Sequence, residues 1–253
     1  MKNKVAYFLS DFHLGVPSQK ESRIREDKIV SFLKSIEKDA SVIYFLGDLF
    51  DFWFEWKQVV PKGFVRFLAQ IAQMVEKGIE IHFFKGNHDM WQFGYLEKEL
   101  GIQLHSDELE TEINGKKFFL HHGDGLEKQD KYYNLLKKIF RSHFFQWLFA
   151  RIHPNTSIFI AQYFSKTSRK QNKSIKKEQN VEDDWLYQYA KNHFKNNQHI
   201  NFYLFGHRHH PLVMEINKNC SYVNIGDWLQ NFTYARYEKQ KIELLNYAAI
   251  KKK

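Results

Sequence analysis

Histidine, aspartate and asparagine side chains recur in five short segments of this sequence, and each segment directly follows an apolar run. In chain order the segments read DFH, GDLFD, GNHD, HGD and GHRH. Seven of their side chains could bind a metal: Asp11, His13, Asp48, Asn87, His122, His207 and His209. Such oxygen and nitrogen ligands without thiolate suit Mn²⁺, Fe²⁺, Zn²⁺ or a comparable divalent ion. Seven ligands suit two metals that share a carboxylate, and two such metals can clamp a phosphate and activate water.

The apolar runs before these segments are typical of buried β-strands. They cover residues 5–9, 42–47, 79–84, 117–121 and 200–205. Helical spacing of apolar residues predicts helices over 21–38 and 61–77. Alternating strands and helices indicate an α/β fold, in which ligands bind at the carboxyl ends of strands. We therefore expect side chains from separate strands to converge on one site.

The last segment contains three histidines within four positions. On a strand-like backbone, side chains two residues apart point to the same side, so His207 and His209 are expected to share a face. His210 is expected to point to the other side, and it directly precedes Pro211. The spacing therefore favours His207 and His209 as the ligands of this segment.

Taken in order, the five segments resemble the signature of the calcineurin-like metallophosphoesterase family. The resemblance implies a sandwich of two mixed β-sheets flanked by helices. It also implies two sets of metal ligands with a shared carboxylate. The first set is Asp11, His13 and His209, the second is Asn87, His122 and His207, and Asp48 is the bridge. In that arrangement a hydroxide held between the metals attacks phosphorus in line.

The resemblance also assigns roles beside the metals. It implies that His88 steadies the phosphoryl oxygens or protonates the leaving group, and that Asp89 orients His88. His88 and Asp89 are therefore the predicted catalytic residues. Asp51 is expected to support a metal ligand through a hydrogen bond rather than to bind metal itself.

The positive charge of the chain lies in one segment. The sequence has 38 Lys and Arg against 29 Asp and Glu, a net charge of +9. Residues 126–180 contain twelve of the basic and three of the acidic side chains. We predict one domain over residues 1–253, with a basic, aromatic, helical lid at about 126–195, hereafter the insertion. Such a basic segment favours an anionic partner.

The insertion is also rich in large apolar side chains. Residues 132–152 are predicted to form one helix with apolar residues on a broad face. Its interleaved cations are Lys137, Lys138, Arg141 and Arg151. Such helices lie in lipid interfaces, with the cations toward the headgroups. Residues 157–164 are predicted to pair with it as a helical hairpin, and the charged run 166–180 to stay solvated or to hold an anionic substrate. The alternative is that the aromatic side chains simply pack the insertion onto the core.

Core and insertion together resemble a narrower group, the UDP-2,3-diacylglucosamine pyrophosphohydrolases of lipid A synthesis, in the form found in Bacteroidetes-like bacteria. The segments SDFHLG, GDLFDFW, HHGDGL, FGHRHHP and NIGDW carry this resemblance. It implies hydrolysis of the pyrophosphate to UMP and 2,3-diacylglucosamine 1-phosphate. Two divalent ions are implied, with Mn²⁺ first and Fe²⁺, Zn²⁺ or Mg²⁺ as alternatives. The implied substrate-binding residues are Asn87, His88, Asp130, Tyr133, Ser168, Asn172, Lys176 and His207.

One residue departs from that pattern, because many proteobacterial members have Arg where this chain has His88. Histidine belongs to the general phosphoesterase pattern, so a soluble nucleotide, a cyclic nucleotide or another phosphodiester stays open as the substrate. A basic nuclease fits less well, since the cations alternate with apolar side chains. A non-enzymatic scaffold also fits less well, since all seven ligands are present. Nucleic acid and an obligate protein partner are therefore not expected.

The composition also indicates a location. No segment approaches the roughly 18 apolar residues of a membrane span. The single cysteine, Cys220, rules out an internal disulfide and fits a reducing compartment. With an interfacial insertion, the expected place is the cytoplasm, peripheral on the cytoplasmic face of the inner membrane.

Overall fold

The computed structural model describes residues 4–127, 131–175 and 184–247, without the side chains of 131–134 and 166–175. The strands of this part are β1 (Ala6–Leu9), β2 (Val42–Phe45), β3 (Glu80–Phe84), β4 (Gln103–His105), β5 (Leu109–Ile113), β6 (Lys116–His121), β7 (Phe202–Phe205), β8 (Leu212–Asn217), β9 (Cys220–Asn224), β10 (Thr233–Glu238) and β11 (Lys241–Asn246). The helices are α1 (Gln19–Ile36), α2 (Val65–Glu76), α3 (Tyr95–Leu100), α4 (Lys131–Arg141), α5 (His143–Phe149), α6 (Pro154–Ile175) and α7 (Trp185–Phe194).

The strands form two mixed sheets that pack face to face. The first has the order β11-β10-β1-β2-β3-β4 and the second the order β5-β6-β7-β9-β8. Strands β1 to β4 are parallel to one another, as are β6, β7 and β9, and the other pairings are antiparallel. Phe8 and Tyr44 of the first sheet pack with Leu120 and Leu204 of the second in a buried cluster. The predicted sandwich of two mixed sheets is thus confirmed.

Helices cover the outer faces of both sheets. Ile29 of α1 and Ile71 of α2 are buried against the first sheet. Leu186 and Ala190 of α7 are buried against the second sheet, together with Tyr203. The five predicted strands correspond to β1, β2, β3, β6 and β7, which are the strands that precede the ligand-rich segments.

The two predicted helices begin at different residues from those expected. Ser18 caps α1 by accepting a hydrogen bond from the backbone of Glu21 at 3.2 Å, so α1 begins earlier than predicted. Helix α2 begins at Val65 and not near Pro61. Gly63 and Phe64, which precede it, have left-handed backbones with φ of 116° and 58°. A left-handed residue cannot continue a right-handed helix, so the first turn starts after them.

The described part of the insertion contains four helices, α4, α5, α6 and α7, instead of the predicted hairpin. The predicted helix over 132–152 is divided at Ser142, whose ψ of 128° is extended. The predicted solvated run 166–180 is helical as far as Ile175, as part of α6. Within the described residues, no helix combines the length and the apolar character that crossing a membrane requires.

Candidate metal centre

The seven predicted metal ligands follow five strands. The first sheet supplies Asp11 and His13 after β1, Asp48 after β2 and Asn87 after β3. The second supplies His122 after β6, and His207 and His209 after β7. Because the strands of each set are parallel neighbours, their carboxyl ends lie at one edge of each sheet. The structure brings all seven side chains together at that edge.

Asp11, His13 and His209 form a first group of ligand atoms. His209 Nε2 lies 3.1 Å from Asp11 Oδ1 and 3.2 Å from His13 Nε2, and all three atoms lie within 4.8 Å of one another. Asp11 Oδ1 is buried and accepts no hydrogen bond from any described residue. A buried carboxylate oxygen that faces two imidazole nitrogens fits a divalent cation.

Asp48, His122 and His207 form a second group within the same 4.8 Å limit. Asn87 adjoins it, because its Oδ1 lies 3.2 Å from His122 Nε2. Asp48 Oδ2 lies 3.4 Å from His122 Nε2 and 3.7 Å from His13 Nε2. Asp48 therefore lies between the two groups, where a bridging carboxylate would have to be. Each group combines ligands from both sheets.

The second ring nitrogen of three of these histidines is also held. His13 Nδ1 lies 3.3 Å from Asp51 Oδ1, and His209 Nδ1 lies 3.3 Å from Asp227 Oδ2. His122 Nδ1 donates to a backbone carbonyl at 2.6 Å. Such contacts fix the tautomer and leave Nε2 for a metal. Asp51 has the contact expected of it, whereas Asp227 was not predicted, although its Gly-Asp-Trp context repeats the Gly-Asp pattern of the other segments.

Most of the ligands have an unusual backbone. Five of the seven have φ between 45° and 63°, namely Asp11, His13, Asp48, His207 and His209. Non-glycine residues adopt such values at a cost of about 1–3 kcal/mol, and such residues cluster at functional sites. The strand-like backbone predicted for His207 and His209 is therefore wrong, and a turn directs both side chains to the centre. His210 is exposed.

Two glycines allow the loops to approach each other closely. A Cβ at position 206 would lie 2.6 Å from Asp11 Oδ2, and one at position 86 would overlap the Asp48 carboxylate. The backbone N–H of His207, next to Gly206, instead donates to Asp11 Oδ2 at 2.9 Å. Gly86 and Gly206 are therefore required by the space around the two carboxylates.

The carboxylates and imidazoles change one another's pKa strongly. Burial alone would raise the pKa of Asp11, but the imidazoles of His209 and His13 hold it well below its usual range. Burial would lower the pKa of His13 and His122, yet the carboxylates around them raise both to about 10. Burial and the neighbouring His122 lower the pKa of His207 to about 4. The centre therefore attracts positive charge, which protons or divalent cations can supply.

The predicted catalytic pair has other partners than expected. His88 Nδ1 donates to the carbonyl of Asp51 at 3.1 Å and lies 3.4 Å from Ser165 Oγ, and burial lowers the pKa of His88. Asp89 is buried and accepts hydrogen bonds from backbone N–H groups of the loops after β2 and β3. Asp89 thus holds the two loops together, whereas Asp51 and Ser165 contact His88. No sequence pattern distinguishes Ser165 beyond its place in the insertion.

The predicted substrate-binding residues of the insertion stay predictions. Asp130 and Lys176 lie outside the described residues. Tyr133 lies in α4, and Ser168 and Asn172 lie in α6, in stretches whose side chains are not described.

Ion pairs attach α4 to the body of the protein. Lys137 Nζ lies 2.6 Å from Asp124 Oδ2 and donates to the Asp124 carbonyl at 2.9 Å. Arg141 pairs with Asp107 at 2.9 Å. Two of the cations predicted to face lipid headgroups therefore contact carboxylates of the same chain. Burial would raise the pKa of Asp124, but the His122 imidazole and the Lys137 ammonium lower it to about 2.

Fold and centre together define a metal-dependent hydrolase of phosphate esters or anhydrides. The calcineurin-like phosphoesterase family matches residues 5–211, and the chain belongs to this family. It is similar to the UDP-2,3-diacylglucosamine hydrolase of Porphyromonas gingivalis, with 36% identity over 250 residues that cover 94% of this chain and 95% of that one. The UDP-2,3-diacylglucosamine hydrolase of Vibrio atlanticus is 26% identical over 249 residues, which cover 95% of this chain and 96% of that one.

Proposed function

We propose that this protein hydrolyses the pyrophosphate of UDP-2,3-diacylglucosamine to UMP and 2,3-diacylglucosamine 1-phosphate. The relatives above carry the name of that activity and align along almost the whole chain. The observation that carries the proposal is the place of α6. This helix contacts the metal centre through Ser165, while its outward side chains Phe159, Tyr163 and Phe164 are exposed. A site suited to phosphoanhydride chemistry thus borders a surface suited to acyl chains.

The proposal assigns one metal to each group of ligands, with Asp48 shared. The first metal would be held by Asp11, His13 and His209, and the second by Asn87, His122 and His207, whose side chains lie close together. When bound, the two ions polarise phosphoryl oxygens and lower the pKa of a water molecule. The donor set without thiolate favours Mn²⁺, with Fe²⁺, Zn²⁺ and Mg²⁺ as alternatives.

His88 is proposed to act on the phosphoryl group through Nε2. Its Nδ1–H is used by the Asp51 carbonyl, so the neutral ring can only accept a hydrogen bond at Nε2. A phosphoryl oxygen or a leaving group needs a donor, which only the cationic ring supplies. Burial lowers the pKa of His88, and the anionic pyrophosphate would raise it again. Substrate binding is thus proposed to let His88 take up a proton from solvent, which the ring then holds or transfers to the leaving group.

The insertion is proposed to contact lipid, on the cytoplasmic face of the inner membrane. It exposes large apolar side chains at Leu135, Phe140, Phe144, Phe145, Trp147, Leu148, Ile152, Phe159, Tyr163 and Phe164. Each of them contributes roughly 1.5–3 kcal/mol when fully buried in an apolar phase. Because Lys137 and Arg141 pair within the chain, apolar contact is proposed to contribute more than these two cations do.

The test is hydrolysis of UDP-2,3-diacylglucosamine in mixed micelles by the purified protein. The protein is first treated with chelator and then supplied with Mn²⁺, and the products are identified by mass spectrometry. We expect UMP and 2,3-diacylglucosamine 1-phosphate with Mn²⁺, and almost none without a divalent ion. The His209→Ala variant, purified in the same way, controls for contaminating hydrolases.

Soluble phosphodiesters and nucleotides are assayed in parallel, because they represent the alternative substrate class. A kcat/KM that is higher for a soluble nucleotide or cyclic nucleotide than for the lipid would overturn the proposal. It would leave the metal centre in place as that of a phosphoesterase with a soluble substrate.

A further inference from the structure

Ser165 is the residue at which α6 reaches the metal centre. Its side chain is 7% exposed, and its Oγ donates to Asp51 Oδ2 at 2.9 Å. The same Oγ lies 3.4 Å from His88 Nδ1. A buried hydroxyl of the insertion therefore contacts two side chains of the body beside the centre.

Asp51 connects this hydroxyl to a predicted metal ligand. Asp51 Oδ1 lies 3.3 Å from His13 Nδ1, while its Oδ2 accepts from Ser165. The carbonyl of Asp51 accepts from His88 Nδ1 at 3.1 Å. Asp51 thus orients both the His13 ring, which would bind the first metal, and the His88 ring, which would face the phosphate. The hydroxyl of Ser165 in turn holds the carboxylate of that residue in place.

We infer that Ser165 is a positioning residue that couples the seating of α6 to the geometry of the metal centre. When α6 is seated, the hydrogen bond fixes the Asp51 carboxylate and, through it, the His13 imidazole. When α6 moves away, the carboxylate loses this donor and the imidazole loses part of its orientation. The inference rests on the proposed function in one respect, namely that His13 binds metal.

The coupling must act in both directions. If seating of α6 strengthens metal binding by some factor, metal binding stabilises the seated helix by the same factor. Divalent metal should therefore slow amide hydrogen exchange in α6, although the helix supplies none of the seven predicted ligands. Because α6 supplies none of the predicted ligands, slower exchange in α6 on addition of metal would report the coupling and not direct metal binding by the helix.

The experiment compares Ser165→Ala with Ser157→Ala. Ser157 is a matched control, since it is a buried serine of the same helix whose Oγ donates to the Ile152 carbonyl at 3.4 Å, away from the centre. Mn²⁺ affinity is measured by calorimetry, and exchange in residues 158–165 is measured with and without Mn²⁺. Loss of a residue that supports a metal ligand weakens affinity 10- to 100-fold, so we expect roughly tenfold for Ser165→Ala.

The two variants should differ in each readout. Ser165→Ala should abolish the slowing of exchange by Mn²⁺ and lower kcat on a soluble phosphodiester with little change in KM. Ser157→Ala should behave like the wild type. Ser165→Thr keeps the hydroxyl and should restore Mn²⁺ affinity to about that of the wild type, which separates the hydrogen bond from packing.

Equal Mn²⁺ affinity and equal exchange in Ser165→Ala and the wild type would overturn the inference and leave the proposed function standing. Weak binding by both Ser165→Ala and Ser165→Thr would assign the effect to packing and overturn it as well. A wild-type protein that binds no divalent ion would instead refute the proposed function, so the two failures are distinguishable.

Discussion

Asp48 is the side chain on which both halves of the metal centre depend. Its Oδ2 lies within 3.7 Å of ring nitrogens of His13 and His122, which belong to different groups. Asp48→Asn keeps the shape and removes the charge. Loss of a residue that only supports a metal ligand costs about 10- to 100-fold, so we expect turnover to fall by more than about 100-fold. The number of Mn²⁺ ions bound per chain, measured by calorimetry, should fall below two.

The control for this variant is His210→Ala. His210 is exposed and next to the last predicted ligand, so its removal should change turnover by less than about twofold. If His210→Ala loses as much activity as His209→Ala, the assignment of ligands in this segment is wrong.

The centre should exchange protons for metal. In the metal-free protein, burial would lower the pKa of His13 and His122, but the surrounding carboxylates raise both to about 10. Both rings therefore carry a proton at neutral pH. Metal binding requires neutral rings. Affinity for Mn²⁺ should therefore rise as the pH increases, by up to about tenfold per pH unit for each proton released, and level off near pH 10.

Calorimetry in buffers of different ionisation enthalpy measures the protons released at pH 7.5. About two protons per pair of metals are expected, one from His13 and one from His122. Release of none would show that the imidazoles are already neutral in the metal-free protein.

The sequence was sufficient to predict which side chains converge at the centre but not their conformation. Asp, Asn and His after apolar runs are visible as letters, whereas the left-handed backbone of His207 and His209 depends on packing against Asp11. Asp227 and Ser165 were missed because each acts on a ligand or on His88 from a distant part of the chain.

Among the elements, the strands that precede the ligands were predictable because β1, β2 and most of β3, β6 and β7 are buried as continuous apolar runs. Strands β4, β5, β8 and β11 escaped prediction for a physical reason. Strands β5, β8 and β11 alternate or mix polar and apolar residues, and β4 has only three. The break at Ser142 could not be predicted, since the apolar spacing continues across it.

Helix α4 offers a prediction of its own, because Lys137 pairs with the buried Asp124. Lys137→Met would remove the ammonium from beside that carboxylate, which also interacts with His122, and we expect the free energy of unfolding to fall by about 1–3 kcal/mol. We expect a lower Tm and faster hydrogen exchange in α4. KM for the diacylated substrate should rise several-fold, since one of the two ion pairs that attach α4 to the body is lost.

Lys138→Met is the matched control, since Lys138 is the exposed neighbour on the same helix. It removes the same charge from the insertion and should leave Tm and KM near the wild-type values. If Tm and KM change similarly in both variants, the change results from the lower net charge and not from loss of the Lys137 ion pair.

At the scale of the whole molecule, the exposed apolar side chains of the insertion should determine attachment to lipid. Changing Phe144, Trp147 and Leu148 together to Ser removes three exposed apolar side chains of α5. Binding to anionic vesicles should weaken by more than about tenfold, because each side chain contributes roughly 1.5–3 kcal/mol when buried. KM for the diacylated substrate should rise, while hydrolysis of a soluble phosphodiester stays near the wild-type rate.

The control variant changes Ile24 of α1 and Val65 of α2 to Ser. Both are exposed apolar residues that lie far from the insertion in sequence. Vesicle binding by this variant should match that of the wild type, and circular dichroism establishes that each variant is folded. If the triple variant loses hydrolysis of the diacylated substrate and of the soluble phosphodiester equally, the aromatic side chains support the core. If it keeps both activities, a soluble substrate is favoured.

The division of ligands between the two sheets has a consequence for synthesis of the protein on the ribosome. Four ligands precede residue 90, but each group also needs histidines from the second sheet, and the last of these is His209. A nascent chain that ends before His207 offers neither group complete, and the first group also needs His209. High-affinity binding of both metals must therefore wait until the ribosome has passed His209 and both sheets have formed. An unfinished chain would compete poorly for the cell's supply of divalent ions.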